Sequence, residues 1–561
     1  MGRSTGKIFI FAVLAGVLFL VTERPSPRRA PEDINVILLT VDSLRADHLS
    51  CYGHNRATSP NIDALAERGV LFRRVFSQSA WTVPGLISVL TSLQPPVHQV
   101  DKRGQLLDSE ITTIFDCFAE AEYEVPNICF VLTLPEFLGI RIGPVEERYF
   151  SEEDGEEIFR WIDENHDSKF FLWYHYRNVH LPYRPRESTH SVFLSGHPNE
   201  NQVSPGVKAV LSDSASVFVD TVKFQQSDRA IIHDLYDGEV IELDFFVGRL
   251  CARLHKYGLL EKTLLVITAD HGEELFDHGF VGHASTSRSA TVYDEVLRIP
   301  LIMSLSGYLP EGVQIREQVQ QIDIMPTLLE LTGIPMPSGI QGRSLAPLIF
   351  DAGKRSESSI PAFAETIYGG YQASGEMEET RLRCVRTDSW KLIETEGPAG
   401  KNYQLFDLLI DIKEHRNVYD KNPEPANILL TLLDEWKREN VLRRNALAAH
   451  QSALVDSGSE GLCPQLIFPY DGVVLRFNER HGMVRASWTG SPVMTYIIEY
   501  DIGDGIHHLT GSFLNYGNQR DFGPYSKEIW LALGVRNPWR VRISPDTQPR
   551  CWSEWLEFYF Q

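Results

Sequence analysis

Positive charge is what this chain has least of. Lys and Arg number 53 against 75 Asp and Glu, a formal net charge of −22. Gripping a phosphate backbone needs a basic surface, so nucleic acid is not an expected partner. Cysteine is sparse: seven in 561 residues, with no C-x-x-C pair, which argues against a cysteine zinc knuckle. Cys463 and Cys551 stand near the two ends of the last segment and could bond to each other in an oxidising compartment. Cys51, Cys117, Cys129, Cys251 and Cys384 read as buried thiols. No N-x-S/T sequon occurs, so N-glycosylation is not expected. The N-terminal apolar run, Ile8 to Val21 after Arg3 and Lys7, has only 14 residues. That is short for a membrane span and typical of a signal-peptide core. A small-x-small cleavage site is missing too, since Leu18-Phe19-Leu20-Val21-Thr22 is bulky. A cleaved signal and an uncleaved membrane anchor therefore both stand. On either reading the body of the chain is exported.

What is present is ordinary globular material, 43% hydrophobic and 23% charged, in a chain too long for one core. Residues 1–32 form the signal or anchor and a proline-bearing tether, 33–455 a large α/β unit, 456–461 a Ser/Gly linker and 462–561 a β-rich module. Leu264–Thr268 is an aliphatic, β-branched run of the kind buried on both faces of a parallel sheet, and Asp270-His271-Gly272 follows it. Asn35–Val41 is a second such run, ending at Asp42. Ligands of open α/β sheets bind at the carboxyl ends of strands, and carboxylate with imidazole suits zinc or manganese. A structural ion pair is the plainer alternative for Asp270 and His271.

Helical spacing from Leu235 to Tyr257, stopped by Gly258, leads into the Leu264 strand as a helix–strand unit. Ser59-Pro60-Asn61 opens a helix that Gly69 ends, and Asp323–Leu331 is a short amphipathic helix. Leu86–Thr91 reads as a helix opened at Pro84, with Thr82 just ahead of the start. There Thr82 is either a plain N-cap or a group facing an anion at a helix terminus. Phe170–Tyr176 is an aromatic strand with His180 just beyond it, and Asn199–Asp228 reads as an inserted polar loop. Trp390–Ile393 and Tyr403–Asp407 are strands of a small antiparallel addition, and Pro425–His450 is a long helix. Beyond Gly461, strands at Val484–Trp488, Tyr496–Asp501, Glu528–Leu533, Trp539–Ile543 and Trp552–Phe558 have the spacing of a seven-strand sandwich. Arg540 and Arg542 would face out there, with Trp552 or Trp555 stacked on them.

Several stretches in consistent order resemble the sulfatase family. They are Asn35–Gly53, Ser59–Ala66, Asp270–Glu273 with His278-Gly279 and Gly282-His283, Asp323–Leu329, and Gln341–Leu345. The resemblance covers about residues 33–420. It implies an alkaline-phosphatase-like α/β fold, a mostly parallel sheet with helices on both faces. It also implies that Asp42, Thr82, Asp270 and His271 ligate a divalent metal. Zinc or manganese is favoured, calcium or magnesium is an alternative, and a second metal stays open. Thr82 falls at the nucleophile position, and His180, His278 and His283 would contact the transferred group.

Two departures matter. Usual sulfatases carry a C/S-x-P-S-R signature that is oxidised to formylglycine, whereas this chain has Thr82-Val83-Pro84-Gly85-Leu86. The usual pair of acids is Asp42-Ser43 here. The pattern is similar to the threonine-nucleophile branch of the superfamily. That implies an exported hydrolase or transferase acting on phosphate or sulfate esters, small or linked to glycan or lipid, with phosphoryl chemistry slightly favoured. A sulfatase working without formylglycine and an inactive binding protein of the same fold are the alternatives. The last hundred residues resemble a fibronectin type III module through Tyr496–Tyr500 and Trp552-Ser553-Glu554-Trp555. Such modules bind glycan or protein, or act as spacers.

Overall fold

The computed structural model describes residues 34–458 except 103–104, 109, 129–147, 150–154, 191–202, 212–221, 288, 351–359 and 371–378. Beyond 458 it describes the strands between 466 and 560. The N-terminal apolar run, Cys129, the Cys463–Cys551 pairing, the Glu528–Leu533 strand and the stacking of Trp552 or Trp555 lie outside the described residues. No described helix is long and apolar enough to cross a membrane.

Six strands form the central sheet: β1 (Asn35–Val41), β2 (Val70–Phe76), β3 (Phe171–Tyr176), β4 (Thr263–Ala269), β5 (Arg298–Ser304) and β6 (Val313–Gln320). Their order is β6-β2-β5-β4-β1-β3. Every residue of β1, β3 and β4 is buried, as their largely apolar sequences favour. Each fully buried aliphatic side chain there stabilises the fold by about 1.5–3 kcal/mol relative to exposure. β1 runs parallel to both β3 and β4, and β6 parallel to β2. β5 is antiparallel to both of its neighbours, so the sheet is mixed. This reversal has a consequence for the site. The chain leaves β4 and enters β5 at the same edge, so the connection from Asp270 to Leu297 begins and ends at the carboxyl ends of β1, β3 and β4.

Helices α1 (Pro60–Glu67), α2 (Thr82–Thr91), α3 (Asp228–Lys256) and α4 (Ile324–Thr332) pack around this sheet in one continuous apolar core. Ser59 stands at the N-cap of α1 but does not cap it. The N–H groups of Asn61 and Ile62 donate to Asp244 Oδ1 of α3, at 2.8 and 2.9 Å. A cap that reads as local is therefore supplied by another helix. α2 begins at Thr82, two residues before Pro84. Proline is tolerated in a first turn because its missing N–H has no helical partner there. The Asn199–Asp228 stretch corrects its reading as a plain loop, since Pro205–Leu211 is helical.

A second, antiparallel sheet comprises β7 (Ala362–Ile367), β8 (Arg381–Arg386), β9 (Trp390–Gly397) and β10 (Gly400–Asp407), in that order. Helix α5 (Pro423–Gly458) covers it with Leu429, Leu433 and Trp436 packed on Val385, Leu392 and Leu405. The strands β2 and β6 are hard to read from sequence, because Arg73-Arg74 and the Gln314–Gln320 alternation blur their apolar runs. Among the described residues beyond Gly458, strands pair into a three-strand and a five-strand sheet. Val484–Trp488, Tyr496–Asp501 and Trp539–Pro545 fall where the sequence puts strands.

Candidate active site and metal centre

The parallel register of β1 with its two neighbours builds the site. Val41 pairs with Ala269 on one side and Tyr176 on the other. Asp42 and Asp270, each the first residue past its strand, are thereby brought side by side, both buried. Ser43 then turns in the left-handed region at φ 62°, an uncommon conformation for a residue with a Cβ. The turn aims its N–H at Asp270 Oδ1, 3.1 Å away, while its hydroxyl donates to Asp42 Oδ1 at 3.1 Å. Where the family pattern has a second acid, the serine thus braces the two remaining carboxylates.

The two Asp270 oxygens differ. Oδ1 accepts from the N–H groups of Ser43 and His271, the latter at 2.7 Å. Oδ2 is buried without a hydrogen bond. Burial and the neighbouring Asp42 charge push the Asp270 carboxyl well above its ordinary range. Burial opposes the charge of Asp42 as well, but His180, His175 and His271 outweigh it and hold Asp42 well below its usual range. Two carboxylates this close disfavour each other's ionisation, and a cation between them would favour it.

His271 donates from Nδ1 to the Gly272 carbonyl at 2.7 Å, which leaves the Nε2 lone pair facing inward. Nε2 lies 3.4 Å from Asp270 Oδ2, 3.8 Å from Asp42 Oδ1 and 3.3 Å from Thr82 Oγ1. Thr82 is the first residue of α2, and the N-cap position belongs to Trp81. Gly85, one turn on, lets α2 approach this closely, since a Cβ there would lie 2.7 Å from the Asp270 carbonyl oxygen. Leu86, where the family signature has arginine, is fully buried in the core.

The connection after β4 supplies the rest. The His283 ring stands 4.4 Å from His271 and 4.9 Å from His180, centroid to centroid. Its Nδ1 is 2.9 Å from Glu273 Oε1 and its Nε2 2.8 Å from Ser285 Oγ. Burial lowers His283 to about 4, and lowers His180 and His271 too. Burial raises the Glu273 carboxyl to about 8.

Of the residues read from sequence, Asp42, Thr82, His180, Asp270, His271 and His283 come together. His278 does not join them. Its Nδ1 is 3.0 Å from Glu274 Oε1 and its Nε2 2.8 Å from the Lys413 carbonyl, so both nitrogens are engaged elsewhere. Sequence reading missed Arg177, whose Nε is 3.7 Å from Asp42 Oδ2. It missed Glu273 and Ser285, which only the folded connection brings to His283. It also missed His175 of β3, whose Nε2 is 3.6 Å from Asp42 Oδ2 and 4.0 Å from Asp270 Oδ2. A histidine inside a buried aromatic strand needs a polar partner, and that was the available signal.

Asp42, His175 and Asp270 offer ligand atoms within 4.8 Å of one another. The bare Asp270 Oδ2 and His175 Nε2, with the inward lone pair of His271, are the donors a divalent ion needs. The residues present fit such an ion.

The sulfatase profile matches residues 34–334, more than half of the chain. The chain belongs to the sulfatase family. Members of this family bind a divalent metal. The C-terminal profile of N-sulphoglucosamine sulphohydrolase matches residues 287–440 of this sulfatase-family chain, a range that takes in the second sheet. Human arylsulfatase K is 30% identical over 204 residues, 36% of this chain and 36% of that protein. The chain thus spans about a third of the length of the arylsulfatase K relatives it matches. N-acetylglucosamine-6-O-sulfatase of Bacteroides thetaiotaomicron is 21% identical over 491 residues, 72% of this chain and 86% of that one. The phosphonate monoester hydrolase of Agrobacterium radiobacter superposes with a TM-score of 0.58 at 21% identity, covering 73% of this chain and 96% of its own. At that identity it reports the shared sulfatase-type α/β fold alone.

Proposed function

We propose that this chain cleaves sulfate or phosphate esters through a covalent Thr82 adduct, beside a divalent metal held by Asp42, Asp270 and His271. The observation that carries the reading is the 3.3 Å approach of Thr82 Oγ1 to the His271 Nε2 lone pair, next to the carboxylate pair. When bound, the ion would lower the pKa of the Thr82 hydroxyl and offset charge on the equatorial oxygens of the ester.

The chain's own residues do the rest. Thr82 Oγ attacks sulfur or phosphorus, the bond to the ester oxygen breaks, and the alcohol departs with a proton. Water then releases sulfate or phosphate from Thr82; an acceptor alcohol in its place would make the reaction a transfer. Glu273 engages His283 through Nδ1, so Nε2 is the nitrogen free to exchange a proton, with Ser285 Oγ its partner before substrate arrives. His180 packs against His283 at the same place. Arg177, partly exposed beside Asp42, suits the anionic group of the ester.

The names of the relatives, arylsulfatase K and N-acetylglucosamine-6-O-sulfatase, support sulfate esters, including those on sugars, as the first substrate class. Threonine at position 82 supports phosphoryl esters as the second, because it cannot yield formylglycine. Export of the chain and a binding or spacing role for the C-terminal sheets complete the reading.

The test is turnover of p-nitrophenyl sulfate, p-nitrophenyl phosphate and bis-p-nitrophenyl phosphate by the purified chain with zinc or manganese. Thr82→Ala is expected to abolish turnover with an unchanged thermal unfolding midpoint; full activity in that variant would sink the mechanism. The loss of the C/S-x-P-S-R signature favours a second reading, an inactive binding protein of sulfatase fold. Absence of both turnover and bound metal would select it.

A further inference from the structure

We infer that His175 is itself a ligand of this metal, taking the place left by the family's second acid. The inference rests on the metal site proposed above and goes beyond it by changing the ligand set.

Three observations point this way. First, position 43 is not available as a ligand: Ser43 turns its hydroxyl to Asp42 and its N–H to Asp270. Second, His175 Nε2 is buried and makes no hydrogen bond, although Asp42 Oδ2 and Asp270 Oδ2 stand at 3.6 and 4.0 Å. Those separations are too long for N–H···O bonds. Bonds of roughly 2.0–2.2 Å to one shared centre put neighbouring ligand atoms roughly 3–4 Å apart. The spacings around His271, 3.3 to 3.8 Å, fall in the same range.

Third, the other ring nitrogen is held as a metal-bound histidine requires. His175 Nδ1 lies 3.0 Å from Thr40 Oγ1, the hydroxyl that also accepts from Trp173 Nε1 at 3.0 Å. Thr40 can pass its own proton to the Tyr174 carbonyl at 3.5 Å. It then accepts from both rings, so His175 carries its proton on Nδ1 and aims the Nε2 lone pair at the carboxylates. Such outer partners fix the tautomer of a ligating imidazole.

The resulting set is two carboxylates, two imidazole nitrogens and the Thr82 hydroxyl. Two nitrogens select zinc, cobalt or manganese over calcium or magnesium, which prefer all-oxygen sites.

The experiment uses the full chain, stripped with a chelator and titrated with cobalt(II) and zinc. X-ray absorption at one zinc per chain counts imidazoles on the wild-type protein, with no variant needed. The expected count is two, falling to one in His175→Ala, whose zinc Kd rises at least about tenfold with an altered cobalt d–d spectrum. His175→Asp is expected to bind metal again with calcium gaining on zinc. Thr40→Val, which keeps the ring but removes its partner, is expected to cost about 10–100-fold in zinc affinity. One imidazole in the wild type, or an unchanged Kd and cobalt spectrum in His175→Ala, overturns the assignment. If Asp270→Asn alone loses the metal, the proposed site stands without His175. If the wild type binds neither ion, the site itself fails.

Discussion

Gly85 of α2 and Asp270 at the end of β4 meet backbone to backbone. A Cβ at position 85 would sit 2.7 Å from the Asp270 carbonyl oxygen and 3.3 Å from its carbon. The helix that carries Thr82 therefore reaches the carboxylate only because residue 85 has no side chain. In Gly85→Ala either the helix or the strand end must move. Overpacking of this kind costs about 1–3 kcal/mol. The expected result is a lowered denaturation midpoint together with a loss of turnover far larger than the stability change explains. Wild-type kcat in Gly85→Ala would show that Thr82 has no need of its place beside His271.

The His278 pair predicts a pH dependence of stability. Burial opposes its charge, but hydrogen-bonded Glu274 and nearby Glu295 outweigh burial and raise His278 to about 9. Its ordinary value is 6.5. A histidine raised on folding stabilises fully below its unfolded pKa, and the contribution disappears as pH rises through the folded value. Stability should thus fall between pH 6.5 and 9 by an amount that His278→Gln removes. The same variant should keep its metal content and most of its kcat/KM, because both ring nitrogens are engaged away from Thr82. Urea titrations across that window, with metal analysis at neutral pH, check both halves.

Lys391 is fully buried between Asp294 and Glu414, with its Nζ 2.9 and 2.8 Å from their carboxylates. Arg386 joins through Asp294 at 2.9 Å. These contacts tie β8 and β9 to the segment that enters β5, so they fasten the second sheet to the first. Removing one partner of a buried pair strands the remaining charge, at a cost of about 3–5 kcal/mol. Lys391→Met should lower stability by that order in equilibrium unfolding. A change within experimental error would mean that the network is not what fastens the two sheets.

Much of this architecture can be read from local pattern. Asn35–Val41 and Thr263–Ala269 are mostly apolar and buried along their whole length. The 3.6-residue spacing that ends at Gly258 marks α3, although the helix begins at Asp228, several residues before the apolar pattern does. Position after a buried strand was enough to single out Asp42, Asp270 and His271, since strand ends in such sheets open on the ligand crevice. His278 had the right residue type in the right stretch and folds to a different partner.

Residue order and periodicity determine the strands, the helix starts and the acids at the sheet edge, because burial imposes its period on the chain locally. Which of those groups meet is decided in three dimensions. Thr40 and His175 are 135 residues apart, and only the parallel register of β1 with β3 brings the histidine below the carboxylates. The antiparallel return of β5 keeps His283 and Glu273 at the same edge, and the turn at Ser43 takes the second acid's position out of the site. Pairing between distant strands leaves no periodic trace in either strand, so no local reading could have supplied it.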